Sequence, residues 1–237
     1  MTAHSDCSAG AFASLRTTNV TQVLDSHEQA SSDRDQNFRR WFQGSAVVDR
    51  WGKPLRVFHA TDALFDAFEL TYDIGFHFGS AETANRLLEQ AELVDDAHIL
   101  PVYLCLRSPL RVADLYTWGP RQVAWELAKH GVISNEQASE AEVVDRSQVA
   151  AWLSAAGHDG LCYVNETEGG GLSFIALYPT QIKSSLANSG AFATLDPRFC
   201  DRDGPDVCGA IDDAAPALRA IAFLEREGIV SHAPRPP

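Results

Sequence analysis

No apolar run in this sequence approaches the roughly 18–20 residues that a membrane helix needs, so no membrane span is expected. The opening residues MTAHSDCSAGAFASLRTTNV have neither a basic start nor a continuous apolar region, and do not spell a secretory signal peptide. Basic residues are scarce: the formal net charge is −13, and no Lys/Arg cluster exists beyond Arg39-Arg40. Phosphate backbones bind Lys and Arg and release their own condensed counterions, so on this acidic chain nucleic acid is disfavoured and a protein or small-molecule partner is favoured. None of the five cysteines (Cys7, Cys105, Cys162, Cys200, Cys208) stands in a C-x-x-C pair. Cys105 and Cys162 lie in apolar runs, where a free thiol behaves as a small hydrophobe. All five are expected to be packing or incidental residues in a reducing compartment. His59 and His77 have no carboxylate or cysteine at ligand spacing, so no metal site is expected. G-x-G-x-x-G and G-x-x-x-x-G-K-S/T loops are absent, as is the G-x-S-x-G elbow of serine hydrolases.

What remains is a globular composition, 45% hydrophobic and 22% charged over 237 residues, enough for one sizeable domain with tails. Residues 1–35 are rich in Ser, Thr, Ala, Asp and Gln and read as a flexible tail, with a weak helix at most around Val20–Gln29. Residues 36–199 read as the core domain. Residues 200–237 read as an acidic tail in which ALRAIAFLEREGIV has the spacing of a short amphipathic helix. Inside the core, NFRRWFQGS suggests a short helix stopped by Gly44, and AVVDRWGKPLRVFHAT two strands around a turn at residues 51–54. Ile74–Phe78 suggests a strand, and Ala81–Val94 a helix capped by Ser80. Ile99–Leu106 suggests a buried strand, Gly119–Gly131 a helix with Pro120 in its first turn, and Asn135–Ala156 a mostly helical stretch ended by Gly157. HDGLCYVNE and GLSFIALY read as a hairpin around TEGGG. Strands and helices alternate without a strict βαβ rhythm, which favours an α+β fold.

Two adjacent strand-like runs each carry a histidine, VFHAT and GFHFGSAETANR, and a third run closes as GLSFIALYPTQIKSS. In this order the three motifs resemble the ADP-ribosyltransferase superfamily, in its diphtheria-toxin/poly(ADP-ribose) polymerase-like branch. They are most similar to the compact domains of phage polyvalent proteins and bacterial effectors. FRRWFQGSAVVDRWGKPL before them and AGHDGLCYVNE between them fit the same pattern, so the resemblance spans about residues 37–199. It implies a split β-sheet core with flanking helices, NAD as substrate and a protein side chain as acceptor of a single ADP-ribose. It also implies the role of an effector or toxin made in the bacterial cytoplasm and exported into a host cell. The Ser/Thr-rich N-terminus is compatible with such export and equally with an ordinary tail.

Carried over residue by residue, the resemblance gives His59 the role of holding a ribose hydroxyl beside the scissile bond. Ala60, where glycine is usual, would lend backbone groups to the nicotinamide amide, and Thr61 would fix the turn. His77 stands where a tyrosine normally stacks on nicotinamide. Thr83 would reach the amide, and Arg86 stands where a second aromatic closes the sandwich. Ser173, placed by alignment on QIK, stands where active members carry glutamate. His59, His77 and Ser173 are thus the candidate catalytic set. Bond cleavage develops positive charge on the ribose, which a carboxylate stabilises while polarising the nucleophile. Serine in its place implies a loss on the order of 10²–10³ in rate unless compensated. Either the acceptor supplies a carboxylate, or Glu166 or Glu168 swings in from the hairpin, although as turn residues these need no function. Gln181 reads as structural, satisfying backbone groups near the last strand. Two functions stay open: a mono-ADP-ribosyltransferase, or a degenerate member of that fold acting as a partner-binding module.

Overall fold

The computed structural model describes residues 32–61, 65, 67–69, 73–90, 98–140, 145–186, 188, 190 and 192–200. The expected helices at residues 20–29 and 217–230, most of both tails, and Cys7 and Cys208 lie outside them. A first helix, α1, covers residues 32–42 and begins earlier than its apolar residues suggest. Its Trp41 and Phe42 pack with Phe38, Cys105 and Phe192 in an aromatic cluster. Gly44, at φ 79°, turns the chain out of it. The strand expected at residues 46–50 is reduced to one bridge, Val48 with Pro54.

The remaining elements are β1 (Val57–Thr61), β2 (Phe76–Phe78), α2 (Ala81–Gln90), β3 (His98–Leu104), β4 (Pro109–Arg111) and α3 (Pro120–Lys129). They continue with α4 (Asn135–Glu140), α5 (Arg146–Ala155), β5 (Gly160–Val164), β6 (Leu172–Ala176) and β7 (Ile182–Ser184). The stretch expected to be mostly helical holds α4 and α5 among the described residues. Asp145 caps α5 by accepting the N–H of Gln148. β4 and β7, three residues each, are too short to announce themselves by periodicity.

The strands form two sheets, ordered β1-β3-β7 and β2-β6-β5-β4. All ladders are antiparallel except β4 with β5. The fold is thus α+β with a split sheet and, among the described residues, no closed barrel. Alternation along the strands sorts the side chains. Phe76, Phe78, Phe174 and Ala176 face Val57, Leu100, Val102, Leu104 and Ile182 of the other sheet. Leu161, Tyr163 and Ile175 face the opposite way, against Val123, Leu127, Ala138, Val149 and Leu153 of α3–α5.

Two polar side chains lock this frame. Gln181 accepts the N–H groups of Leu177 and Tyr178 and donates to the Asp159 carbonyl, the structural role expected of it. Lys183, fully buried, donates through Nζ to the carbonyls of Asp196 and Arg198. Phe199 on the same segment packs against Phe65 and Phe68. Cys105 and Cys162 are free, but Cys200 is disulfide-bonded, which corrects the packing-only reading of that cysteine.

Gly75 sits where β2 approaches β6. A Cβ there would lie 2.6 Å from Ile175 Cγ2 and closer still to the Ala176 carbonyl oxygen. We expect Gly75→Ala to push the strands apart and cost about 1–3 kcal/mol, read as a lowered urea midpoint. An unchanged midpoint would mean that β2 has slack at this point.

Candidate functional site

β1 and β2 belong to different sheets and touch through one bridge. Phe58 and Gly79 exchange N–H···O bonds of 2.9 and 3.0 Å. Beyond it the strands part, and a side chain takes over. His59 Nδ1 lies 2.8 Å from the His77 carbonyl oxygen. A carbonyl only accepts, so Nδ1 carries the proton and Nε2 the lone pair. Burial lowers the His59 pKa, keeping the ring neutral. The ring rests against Phe68 and Phe78.

His77 lies on the helix-facing side of its sheet, edge-on to Trp118, with ring centroids 5.5 Å apart. Its Nδ1 is 3.4 Å from the Tyr163 hydroxyl, and its buried Nε2 has no partner. Burial, reinforced by the neighbouring His59, lowers its pKa to about 4, so it too is neutral. Tyr163 pairs with Ser173 in the β5–β6 register, and the two side chains hydrogen-bond. Burial and the nearby carboxylates push the Tyr163 pKa up, so the phenol keeps its proton.

Two cavities meet here. The larger, about 790 Å³, is within the range of small-molecule sites and is lined by His59, Thr61, Phe68, His77, Trp118 and Glu168, among others. The smaller, about 60 Å³, is lined by His59, Ala60, His77, Thr83, Glu168 and Ser173, among others. The chain therefore gathers most of the residues singled out from sequence. Thr83 is buried and hydrogen-bonds Ser80, whose Oγ caps α2 by accepting the Thr83 N–H. Gly79 makes room: a Cβ there would meet Thr83 at 2.8 Å and Ser173 Oγ at 3.1 Å. Arg86 is not among the residues lining either cavity. Its guanidinium lies over Gly169 of the β5–β6 turn and pairs with Glu82.

Sequence reasoning missed Asp114, Trp118, Tyr163 and Asn165. Asp114 Oδ2 accepts the N–H groups of Glu166 and Thr167 and the Thr167 hydroxyl, fixing the turn. Asn165 Oδ1 accepts the Glu168 N–H at 2.8 Å, and its Nδ2 donates to Glu168 Oε2 at 2.6 Å. The spelling N-x-x-E is that of a capping box and was the available signal. Nothing local in the sequence marks Trp118 or Asp114, which arrive from the segment between β4 and α3. Among the described residues no group of His, Cys, Asp and Glu could hold a metal ion, and no helix is long and apolar enough to cross a membrane.

The family of ADP-ribosyltransferases in polyvalent proteins matches residues 49–192, more than half of the chain and all of the site just described. The chain belongs to this family: it carries an ADP-ribosyltransferase domain, of a class that uses NAD as substrate. Comparison with curated proteins and with solved structures returned no match.

The lowered histidine pKa values have a consequence for stability. Between about pH 6.5 and 4 the unfolded chain binds a proton at His77 that the folded chain refuses, so stability rises with pH across this window. Urea midpoints measured from pH 7 down to pH 4.5 should fall steadily, and His77→Phe should flatten that slope. An equal slope in the variant would mean that His77 is not held neutral.

Proposed function

We propose that this domain is a mono-ADP-ribosyltransferase, which cleaves NAD at the nicotinamide–ribose bond and transfers ADP-ribose to a protein side chain. The observation that carries the reading is the bond from His59 Nδ1 to the His77 carbonyl. It leaves Nε2 as an acceptor for a ribose hydroxyl, at the junction of both cavities. Ala60, His77 and Thr83 around the smaller cavity are the groups the nicotinamide would meet, with Thr61 on the larger one toward the rest of the dinucleotide. At about 60 Å³ the smaller cavity has the volume of roughly two waters, so the ring enters only as the side chains lining it shift. Delivery of the protein into a host cell as an effector belongs to the same proposal. Its motivation is the Ser/Thr-rich N-terminus, and undiminished delivery after removal of residues 1–35 would dismiss it.

A second reading, a binding module with a silent site, has its own support. Position 173 is a buried, uncharged serine. Among the described residues lining the larger cavity, Glu69, Asp73, Asp114 and Glu168 are acidic and none is Lys or Arg. An anionic pyrophosphate gains nothing from such walls.

Calorimetry with NAD, followed by a nicotinamide-release assay, separates the two readings. Under the first, the wild type binds and cleaves NAD, and His59→Ala lowers turnover by about 10²-fold or more, the usual scale for a positioned catalytic group. A wild type that gives no heat with NAD would establish the second reading.

A further inference from the structure

The carboxylate missing from β6 has a replacement a few residues upstream. We propose that Glu168 is the catalytic carboxylate of this site, and that Asn165 is the residue that positions it; the assignment rests on the transferase reading above. Three observations converge. Glu168 is the one acidic side chain, among the described residues, that lines both cavities, and it shares that position with His59 and His77. It is held at two points by the same amide: Asn165 accepts its N–H and donates to its Oε2. The Asn165 nitrogen that donates to Glu168 also lies 3.4 Å from Ser173 Oγ. The carboxylate is thus tethered beside the strand position where the family carries its glutamate.

The hairpin is built to keep it there. Asn165 is itself buried, and the Asn165 N–H donates to Gly171 while its carbonyl accepts from Gly170, closing the loop. Gly169, Gly170 and Gly171 all have φ near or above 80°, a backbone that L side chains rarely adopt, so the chain can double back directly after Glu168. Asp114 fixes the turn from the cavity side, and Arg86 covers Gly169 from α2. A longer side chain at position 173 would compete with Glu168 for the Asn165 amide, which Ser173 Oγ already approaches to 3.4 Å.

In the step assigned to Glu168, the C1′–N1 bond of NAD breaks and its electron pair leaves with nicotinamide. The carboxylate faces the positive charge that develops on the ribose. A lone pair on the acceptor oxygen or nitrogen forms the new bond to C1′. The acceptor's proton passes to the Glu168 oxygen that Asn165 does not hold, and from there to solvent.

The test uses the full chain and NAD, with water as the acceptor, and follows nicotinamide release against pH. Glu168→Gln preserves shape and removes the charge. We expect kcat to fall by about 10²-fold or more with KM changed little, and the acid limb of the pH–rate profile to vanish. Glu168→Asp should retain part of the rate. Asn165→Asp places a like charge against the carboxylate and should move the acid limb to higher pH, which a purely structural role for Asn165 would not do. Ser173→Glu introduced into the Glu168→Gln chain should return activity. A Glu168→Gln chain that turns over within twofold of wild type overturns the assignment while leaving the transferase reading intact. A wild type that binds NAD and never cleaves it overturns both.

Discussion

The site depends on one hydrogen bond between a side chain and a backbone group. Where β1 and β2 separate, the His77 carbonyl loses the ladder partner that a continuous sheet would have given it. An unsatisfied buried carbonyl costs about 1–3 kcal/mol, and the His59 imidazole meets that need through Nδ1. The same bond fixes the tautomer, so Nε2 of a residue lining both cavities is left a neutral acceptor without any further device. The opening of the sheet and the chemistry of the first histidine are therefore a single feature. A tyrosine or phenylalanine at position 77 would leave this bond intact, because only the backbone of residue 77 takes part in it.

The opposite wall is built by different means. There the controlling parts are a turn and two amides. Asp114 gathers the N–H groups of Glu166 and Thr167, and Asn165 ties its own end of β5 to Glu168. Tyr163 spans the gap between walls, within reach of His77 and hydrogen-bonded to Ser173. A chain of polar contacts thus runs from the first strand to the hairpin across the floor of the cavity. Glu168 is the one carboxylate of this chain of contacts that also lines the smaller cavity, and no cationic side chain on the described lining of either cavity neutralises it.

Much of this was legible in the sequence. The glycines of TEGGG between two apolar runs point to a hairpin, and β5 and β6 form it. The histidine pair and Ser173 were found from motif order, and the chain does bring them to one pocket. Other parts escaped for physical reasons. Strands of three residues have too little period to register. The start of α5 is set by the Asp145 cap, a single side-chain bond that apolar spacing does not mark. Trp118 and Asp114 are placed by long-range packing, which no local pattern encodes. Motif order puts Arg86 at a ring-stacking position; its guanidinium lies over Gly169 of the turn and pairs with Glu82.

The strand order carries a consequence for how the protein is made. β2 is an edge strand whose ladder partner is β6, nearly a hundred residues further along the chain. Closing so long a loop is entropically slow and must precede the contacts that reward it. On the ribosome, the segment bearing His77 waits without a ladder partner until the hairpin bearing Glu168 and Ser173 has emerged. No nascent fragment shorter than that contains the pocket, so a growing chain stays inert toward its surroundings until synthesis has passed the final sheet.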